Sequence, residues 1–291
     1  MFSIGIFADL HDWHTKELQM NLKKNGCKVY VVDISKIKLE FNNKKNFLSY
    51  CSDILKLDAV WVRFIGKGTL EEITTKLTIL HLLESKKTYV HNSAGSIEKT
   101  VDKVRSSGLL KINNIKTPET IVWCKNKTQM PSIELHGDYL IKPIFGSQGK
   151  NIHFVKSLQS LKKINPIGNI FYIQKFIGNK NDSEFSDIRI LISNHKVVCG
   201  MKRTSKKFIT NVFQGASFKK FKVSKELKVL CRNISKIFDL GYGGIDLKIW
   251  KKKIYVLEIN GIPSWKAIQT LQRKNISEIL VKDFLEKIKK K

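Results

Sequence analysis

Gly244-Ile245-Asp246-Leu247-Lys248 and, shortly after it, Tyr255-Val256-Leu257-Glu258-Ile259-Asn260 decide how this chain reads. Both runs are apolar enough to be buried strands. An acid inside such a strand is costly unless it is paired or bound to a cation. Asp246, Glu258 and Asn260 offer hard oxygen ligands, and alternation puts Glu258 and Asn260 on one strand face. That donor set suits Mg²⁺ shared with substrate phosphates. The competing reading of Asp246 is a surface acid at a strand end.

Working outward, the sequence supplies a phosphate loop and matching cations. Lys142-Pro143-Ile144-Phe145-Gly146-Ser147-Gln148-Gly149-Lys150 lies between two predicted strands. Its glycines let backbone N–H groups approach phosphate, and Ser147 adds a donor. No G-K-[ST] follows and no helix opens there, so it is not a Walker loop. An ordinary hairpin turn is the alternative.

Lys and Arg number 53 against 25 Asp and Glu, a formal charge of +28. Charge of that size raises nucleic-acid binding as a function class. The lysines are spread along the whole chain with no basic block interleaved with aromatics, which favours a solvated Lys-rich surface that attracts ATP and acidic acceptors. Arg is scarce: Arg63, Arg105, Arg189, Arg203, Arg232 and Arg273 are all there are. Some of these positions therefore call for a planar two-pronged donor. Five cysteines without a C-x-x-C fit neither a disulfide framework nor a zinc site, and point to a reducing cytoplasm. No leader or transmembrane run is apparent, so a cytoplasmic protein with no membrane partner is expected.

The N-terminal third reads as strand (3–8), helix (13–24), strand (28–34), strand (58–64), helix (70–85) and strand (88–91). This βαβ opening implies a small parallel-sheet domain ending near residue 92. A helix over 96–112 follows, then strands at 121–124, 139–142, 151–155, 170–177, 187–192 and 196–202, with a short helix at 158–163. Helices over 225–238 and 277–290 bracket the two opening strands. His11 and His14, three apart, suggest a metal pair; without a third ligand nearby a helix start is the better reading. Arg63, at a strand end, is read equally as a substrate contact or a helix cap.

Taken in order, Asn92-Ser93, Asp102-Lys103, Lys142-Pro143 with Gly146-Ser147-x-Gly149, Gln174-x-Phe176-Ile177, Asp187-Ile188-Arg189, Arg203, Asn211, Asp246 and Glu258-Ile259-Asn260 resemble the ATP-grasp ligases. The chain is similar in particular to the RimK-type α-L-glutamate ligases, from about residue 60 to its end. Segments 62–75, 92–120 and 260–265 further resemble the group linked to tetrahydromethanopterin-type cofactor biosynthesis. The resemblance implies an α/β fold: an N-terminal pre-ATP-grasp domain (1–92) and a two-lobed α+β ATP-grasp domain (93–291). A smaller lid lobe would span about 116–176 and a larger metal-binding lobe about 177–291.

It also implies roles. Lys103 and Lys142 would hold ATP phosphates, with Gly146, Ser147 and Gly149 in the loop. Gln174, Lys175, Phe176 and Ile177 would form the adenine hinge, and Asp187 would meet the ribose. Arg203 and Asn211 would face the phosphates and the acyl phosphate as it forms. Asp246, Glu258 and Asn260 would bind two Mg²⁺, with Mn²⁺ as an alternative ion. Arg189 would hold a substrate carboxylate, with Arg63 the next candidate; a mere ion pair with Asp187 is its alternative. Two departures stand out: Lys175 occupies a position where the family usually has Glu, and Asn151 one where it usually has Gly.

The expected function is ATP-dependent ligation of L-glutamate to an acidic acceptor through an acyl phosphate. The acceptor would be a pterin or furan cofactor, a growing glutamate tail or a protein C-terminus. The phosphoryl step needs alignment and charge neutralisation by metal, Lys and Arg rather than a protein nucleophile. The alternatives are a dipeptide or glutathione-type synthetase, or a basic nucleic-acid-binding protein with a degenerate ATP fold. A homo-oligomer is compatible with either reading.

Overall fold

The computed structural model describes residues 1–290 apart from 9–11, 42–47, 51, 52, 55, 126–134, 136, 147, 148, 156, 158, 159 and 162. Strand β1 (Ser3–Phe7) leads into helix α1 (Trp13–Lys24), then β2 (Lys28–Val32). A small antiparallel sheet, absent from the sequence reading, follows as β3 (Ile37–Leu39), β4 (Leu48–Tyr50) and β5 (Asp53–Ile54). Next come β6 (Ala59–Val62), α2 (Leu70–Ser85) and β7 (Tyr89–His91). Strands β2-β1-β6-β7 form a wholly parallel sheet, as the βαβ pattern predicts. Helix α2 opens on a full capping box: Thr69 accepts from the Glu72 N–H, and Glu72 accepts from the Thr69 N–H.

The single helix expected over 96–112 is two, α3 (Ala94–Val101) and α4 (Lys103–Ile112). Asp102 breaks it: its Oδ1 accepts from the N–H groups of Val104 and Arg105, so it acts as an N-cap in mid-run. Periodicity continues across such a break, which hides it from the apolar pattern.

Strands β8 (Thr120–Cys124), β9 (Tyr139–Lys142), β10 (His153–Val155) and β11 (Ile170–Lys175) make an antiparallel sheet in the order β10-β9-β11-β8. Of the helix expected at 158–163, residues 158, 159 and 162 lie outside the described residues. A second antiparallel sheet follows: β12 (Phe185–Ser193), β13 (Lys196–Ser205), β14 (Ser217–Lys220), β15 (Tyr242–Trp250) and β16 (Lys253–Asn260), in the order β14-β13-β12-β15-β16. Its helices are α5 (Lys225–Ile237), α6 (Lys266–Gln269) and α7 (Ile276–Lys289). The fold is thus α/β, a parallel sheet with a small antiparallel one inserted between β2 and β6, followed by two larger antiparallel sheets.

The N-terminal sheet is bound into the rest by one continuous core. Ile4, Ile6, Leu18 and Trp61 pack with Leu191, Trp265, Leu280 and Phe284. Asn92, 1% exposed, stitches the same junction. Its amide donates to the carbonyls of Tyr242 and Gly261, and its Oδ1 accepts from the N–H groups of Gly241 and Tyr242. Burying that amide is tolerable because all of these bonds are made. Among the described residues, no helix is long and apolar enough to cross a membrane.

Candidate active site

The five-stranded sheet sorts its residues by face. Ile188, Ile190, Ile192, Ile245, Leu247, Val256 and Ile259 turn to one side and pack on Leu227, Cys231 and Ile234 of α5. The other face carries the charge. Asp187 lies opposite Arg203, Arg189 opposite Asp246, Asp246 opposite Glu258, and Gly244 opposite Asn260. Directly opposed residues of an antiparallel pair share a face, so these side chains form a continuous row. A register shift after Asp246 leaves Leu257 extra, and both Leu257 and Glu258 reach the cleft.

The cleft lies between this row and the sheet of β8–β11. Lys142 stands opposite Tyr172 and Leu140 opposite Gln174, and all four line it. Of the residues expected from sequence, Lys103, Lys142, Gly146, Gly149, Gln174, Lys175, Phe176, Ile177, Asp187, Arg189, Arg203, Asn211, Asp246 and Glu258 line this one cleft. Ser147, like His11, is outside the described residues. Asn260 lies just beyond the lining, and its Nδ2 is buried without a partner. Pro118, Tyr172, Ile209 and Thr210 also line the cleft and were not anticipated. Alternation from Gln174 gives Tyr172 away; Thr210, on a loop, leaves no comparable signal.

The charges are paired across the cleft floor. Arg203 grips Asp187 with Nε and Nη2, both at 2.6 Å, and reaches Asp246 at 3.1 Å. Arg189 forks onto Asp246 at 2.7 and 2.6 Å. Asp187 also accepts from the Thr210 hydroxyl at 2.6 Å. Arg189 therefore pairs with Asp246 rather than with Asp187. Burial raises the Asp246 carboxyl, but Arg189 and Arg203 outweigh it and hold it well below the ordinary carboxylate range.

On the opposite wall, Lys103 donates to the Gly146 carbonyl at 2.9 Å and sits 3.3 Å from Glu258. It ties the glycine loop to the end of the acidic row. Lys142 donates to Gln174 Oε1 at 2.7 Å, while Gln174 Nε2 donates to Thr120 and Tyr172. The Gln174 side chain thus holds a cation. Backbone N–H groups of Lys175 and Phe176 donate to the carbonyls of Glu119 and Asp138, which removes two of the hinge donors from an adenine contact. Lys175 pairs with Glu119 at 3.4 Å. Asn151 takes φ 57° and Gly149 φ 71°, so Asn adopts the left-handed conformation where the family pattern has Gly.

Burial, helped by Lys103, pulls Lys142 down to about 8 against the opposing carboxylates of Glu258 and Asp246. Its charge is complete well below that value and is lost as pH rises through it. ATP affinity, followed by calorimetry from pH 7 to 9.5, should therefore weaken above pH ~8. The Lys142→Ala variant should bind ATP weakly at every pH and lose this dependence. A wild-type affinity that is flat across that range would remove Lys142 from phosphate binding.

Two corrections follow from position. Arg63 neither lines the cleft nor caps a helix. It donates to the Pro263 carbonyl at 2.9 Å, lies over the Trp265 ring at 4.9 Å and is 8% exposed. His14 is no metal ligand either: its ring is committed to Asp12, to the Ser264 hydroxyl and to the backbone N–H groups of Trp265 and Lys266, and Asp12 caps α1.

Among the described residues, no three of His, Cys, Asp and Glu gather closely enough to hold a metal by themselves. Asp246, Glu258 and the Asn260 amide instead offer hard oxygens, two of them charged. Such a set fits Mg²⁺ that takes its remaining oxygens from phosphate and water.

A RimK-like ATP-grasp domain model matches residues 100–284. The chain is 28% identical over 288 residues to a tetrahydromethanopterin:alpha-L-glutamate ligase of Methanococcus maripaludis, with 97% of each chain covered. It is 26% identical over 299 residues to an alpha-aminoadipate–LysW ligase of Sulfurisphaera tokodaii, with 99% of each covered. Among solved structures it resembles the ATP-grasp ligase PsnB complexed with a minimal precursor, with a TM-score of 0.73 at 17% identity over 98% of this chain and 99% of that one. At that identity the likeness concerns the fold.

Proposed function

Because this chain belongs to the RimK-like ATP-grasp family and is thereby an ATP-dependent carboxylate–amine ligase, we propose that it joins L-glutamate to an acidic acceptor, a pterin cofactor foremost. The observation that carries this reading is the single cleft in which Lys103, Lys142, Arg189 and Arg203 face Asp187, Asp246 and Glu258. Similarity along the whole length to a tetrahydromethanopterin:alpha-L-glutamate ligase favours glutamate as the amine and a pterin as the acceptor. A furan cofactor, a glutamate tail and a protein C-terminus are the other acceptors of matching charge.

Enzymes of this family use ATP with Mg²⁺. Asp246, Glu258 and Asn260 would hold the metal, two ions in our reading, with Mn²⁺ able to substitute. When bound, it neutralises charge on the phosphates and on the transferring group. Lys103 and Lys142 hold phosphate oxygens, and the backbone of Gly146 and Gly149 approaches them. The adenine falls to the hinge groups of 174–177 that the protein leaves unbonded. Asp187 orients Arg203 rather than the ribose, since Arg203 and Thr210 occupy its carboxylate. Arg203 and Asn211 then meet charge that grows as the acyl phosphate forms. The amine displaces phosphate to leave the amide. We divide the chain accordingly into 1–92 and an ATP-grasp domain of 93–291, with a lid of about 116–176 and a metal-binding lobe of about 177–291.

Arg189 carries the substrate assignment. Its Nε–Nη2 edge is held by Asp246, so a substrate carboxylate would meet the remaining edge, Nη1 and the second Nη2 hydrogen, a geometry that an ammonium does not reproduce. Arg189→Lys should raise the glutamate or acceptor KM by about tenfold or more, the equivalent of roughly 1.5–3 kcal/mol for a charged contact. ATP affinity should change by less than about threefold, because uniform phosphate binding is untouched. ADP release is then measured over a panel of amino acids, with mass spectrometry of cofactor extracts for a glutamyl increment. Turnover with neutral amino acids in place of glutamate would favour a dipeptide-type synthetase.

A further inference from the structure

The segment 261–266 directly follows Asn260, the last residue of β16. Its backbone is held almost entirely by side chains from the N-terminal third. Asn92 donates to the Gly261 carbonyl, and Arg63 to the Pro263 carbonyl. His14 Nε2 lies 3.1 Å from the Trp265 N–H, 3.2 Å from the Lys266 N–H and 3.0 Å from the Ser264 hydroxyl. A ring nitrogen facing two backbone donors is an acceptor and carries no proton. The proton is therefore on Nδ1, which donates to Asp12 Oδ2 at 3.0 Å. Asp12 is itself fixed as the N-cap of α1 by the Thr15 N–H.

The segment has little room to shift. A methyl group at Gly261 would meet Thr100 Oγ1 at 2.5 Å, and one at Gly244 would meet Pro263 at 3.2 Å. Gly244 is the register partner of Asn260, and its open side faces Arg189 Nε at 3.9 Å. Trp265 is fully buried, with Nε1 donating to Ser277. Burial and the nearby Arg63 charge lower the His14 pKa, which keeps the ring neutral as the geometry requires.

We infer that Asp12 and His14 form a positioning dyad: by fixing the tautomer and accepting two N–H groups of 265–266, they set where Asn260 stands against Asp246 and Glu258. A domain that has none of its described residues in the cleft thereby determines the metal-binding end of it. The inference rests on the reading of Asn260 as a metal ligand. It predicts that a side chain able to accept at the Nε2 position preserves the site and an isosteric apolar one does not.

The probe is Mn²⁺ titrated into the enzyme–ADP complex and followed by electron paramagnetic resonance, so that binding is read without turnover. His14→Leu should weaken Mn²⁺ binding by about fivefold or more, with its melting profile still cooperative; His14→Gln, which keeps an acceptor, should stay within about twofold of wild type. Asn260→Ala is titrated alongside. If Asn260→Ala weakens Mn²⁺ binding and His14→Leu does not, the dyad is overturned while the metal site stands. If His14→Leu and His14→Gln weaken it equally, acceptance at Nε2 is not what matters and the dyad is likewise overturned. If Asn260→Ala has no effect, Asn260 is not a ligand, and the proposed metal set fails with the dyad. A loss in His14→Leu, rescued in His14→Gln and matched by Asn260→Ala, supports the proposal.

Discussion

Glu258→Gln should abolish ligation while leaving the fold in place. The substitution keeps size but removes the charge and replaces one carboxylate oxygen with an NH2 that only donates. Glu258 lies opposite Asp246, and its carboxylate is the second of the two that the proposed metal set contains. A bound cation loses an anionic ligand for which no neighbour substitutes, because Asp246 already belongs to the set and Asp187 is held by Arg203 and Thr210. Losing metal-borne stabilisation of the transition state costs several kcal/mol, and each ~1.4 kcal/mol is tenfold in rate. The expected fall is therefore more than about a hundredfold in ADP release at saturating ATP. Stability should change little, since the side chain of Glu258 is 36% exposed and its partner Lys103 retains the Gly146 carbonyl. Glu258→Ala should behave alike. A rate above about a tenth of wild type in either variant would sink the metal assignment.

Arg203→Ala should be the most destabilising single change in the cleft. From sequence alone its expected effect is on turnover, through charge that grows in the transition state. The structure adds a second consequence. Arg203 is 4% exposed and bonded to two buried carboxylates, Asp187 and Asp246, at 8% and 4% exposure. Removing one member of a buried ionic set leaves the others uncompensated, at a cost of about 3–5 kcal/mol. In a chain of this size that corresponds to a melting temperature lower by ~10 °C. Arg189 still neutralises Asp246, so Asp187 is the group left exposed to the loss. Paired substitution, Arg203→Met with Asp187→Leu, should recover much of the stability and none of the activity. Calorimetric melting and single-turnover kinetics on the same samples separate the two effects. A single Arg203→Ala variant that melts with wild type would show that the ion pairs contribute nothing net to the fold.

Much of the site was legible because strand chemistry is local. An acid within an apolar run, as at Asp246, must have a partner whatever the fold, and Arg in a Lys-rich chain marks places where a fork is needed. Spacing by two put Asp187 with Arg189 and Glu258 with Asn260 on shared faces. Which cation meets which carboxylate was not legible. That depends on the register of β12 against β13 and β15, fixed by long-range pairing. The same limit applied to Arg63, whose partner is the carbonyl of Pro263, 200 positions away.

Sequence by itself determined the elements and their faces: helices at Trp13–Lys24 and Leu70–Ser85, the two motif strands, and the row of charged residues set against apolar ones. These follow from periodicity and capping, which act within a few residues. Tertiary structure alone decided that Gln174 holds Lys142, and that Asp12 and His14 clamp the segment after Asn260. Each of these is a polar group choosing among donors and acceptors. Buried polar groups must be satisfied, but nothing local says by whom. The hydrophobic pattern builds the sheets; only their assembly determines which polar groups come within reach of one another.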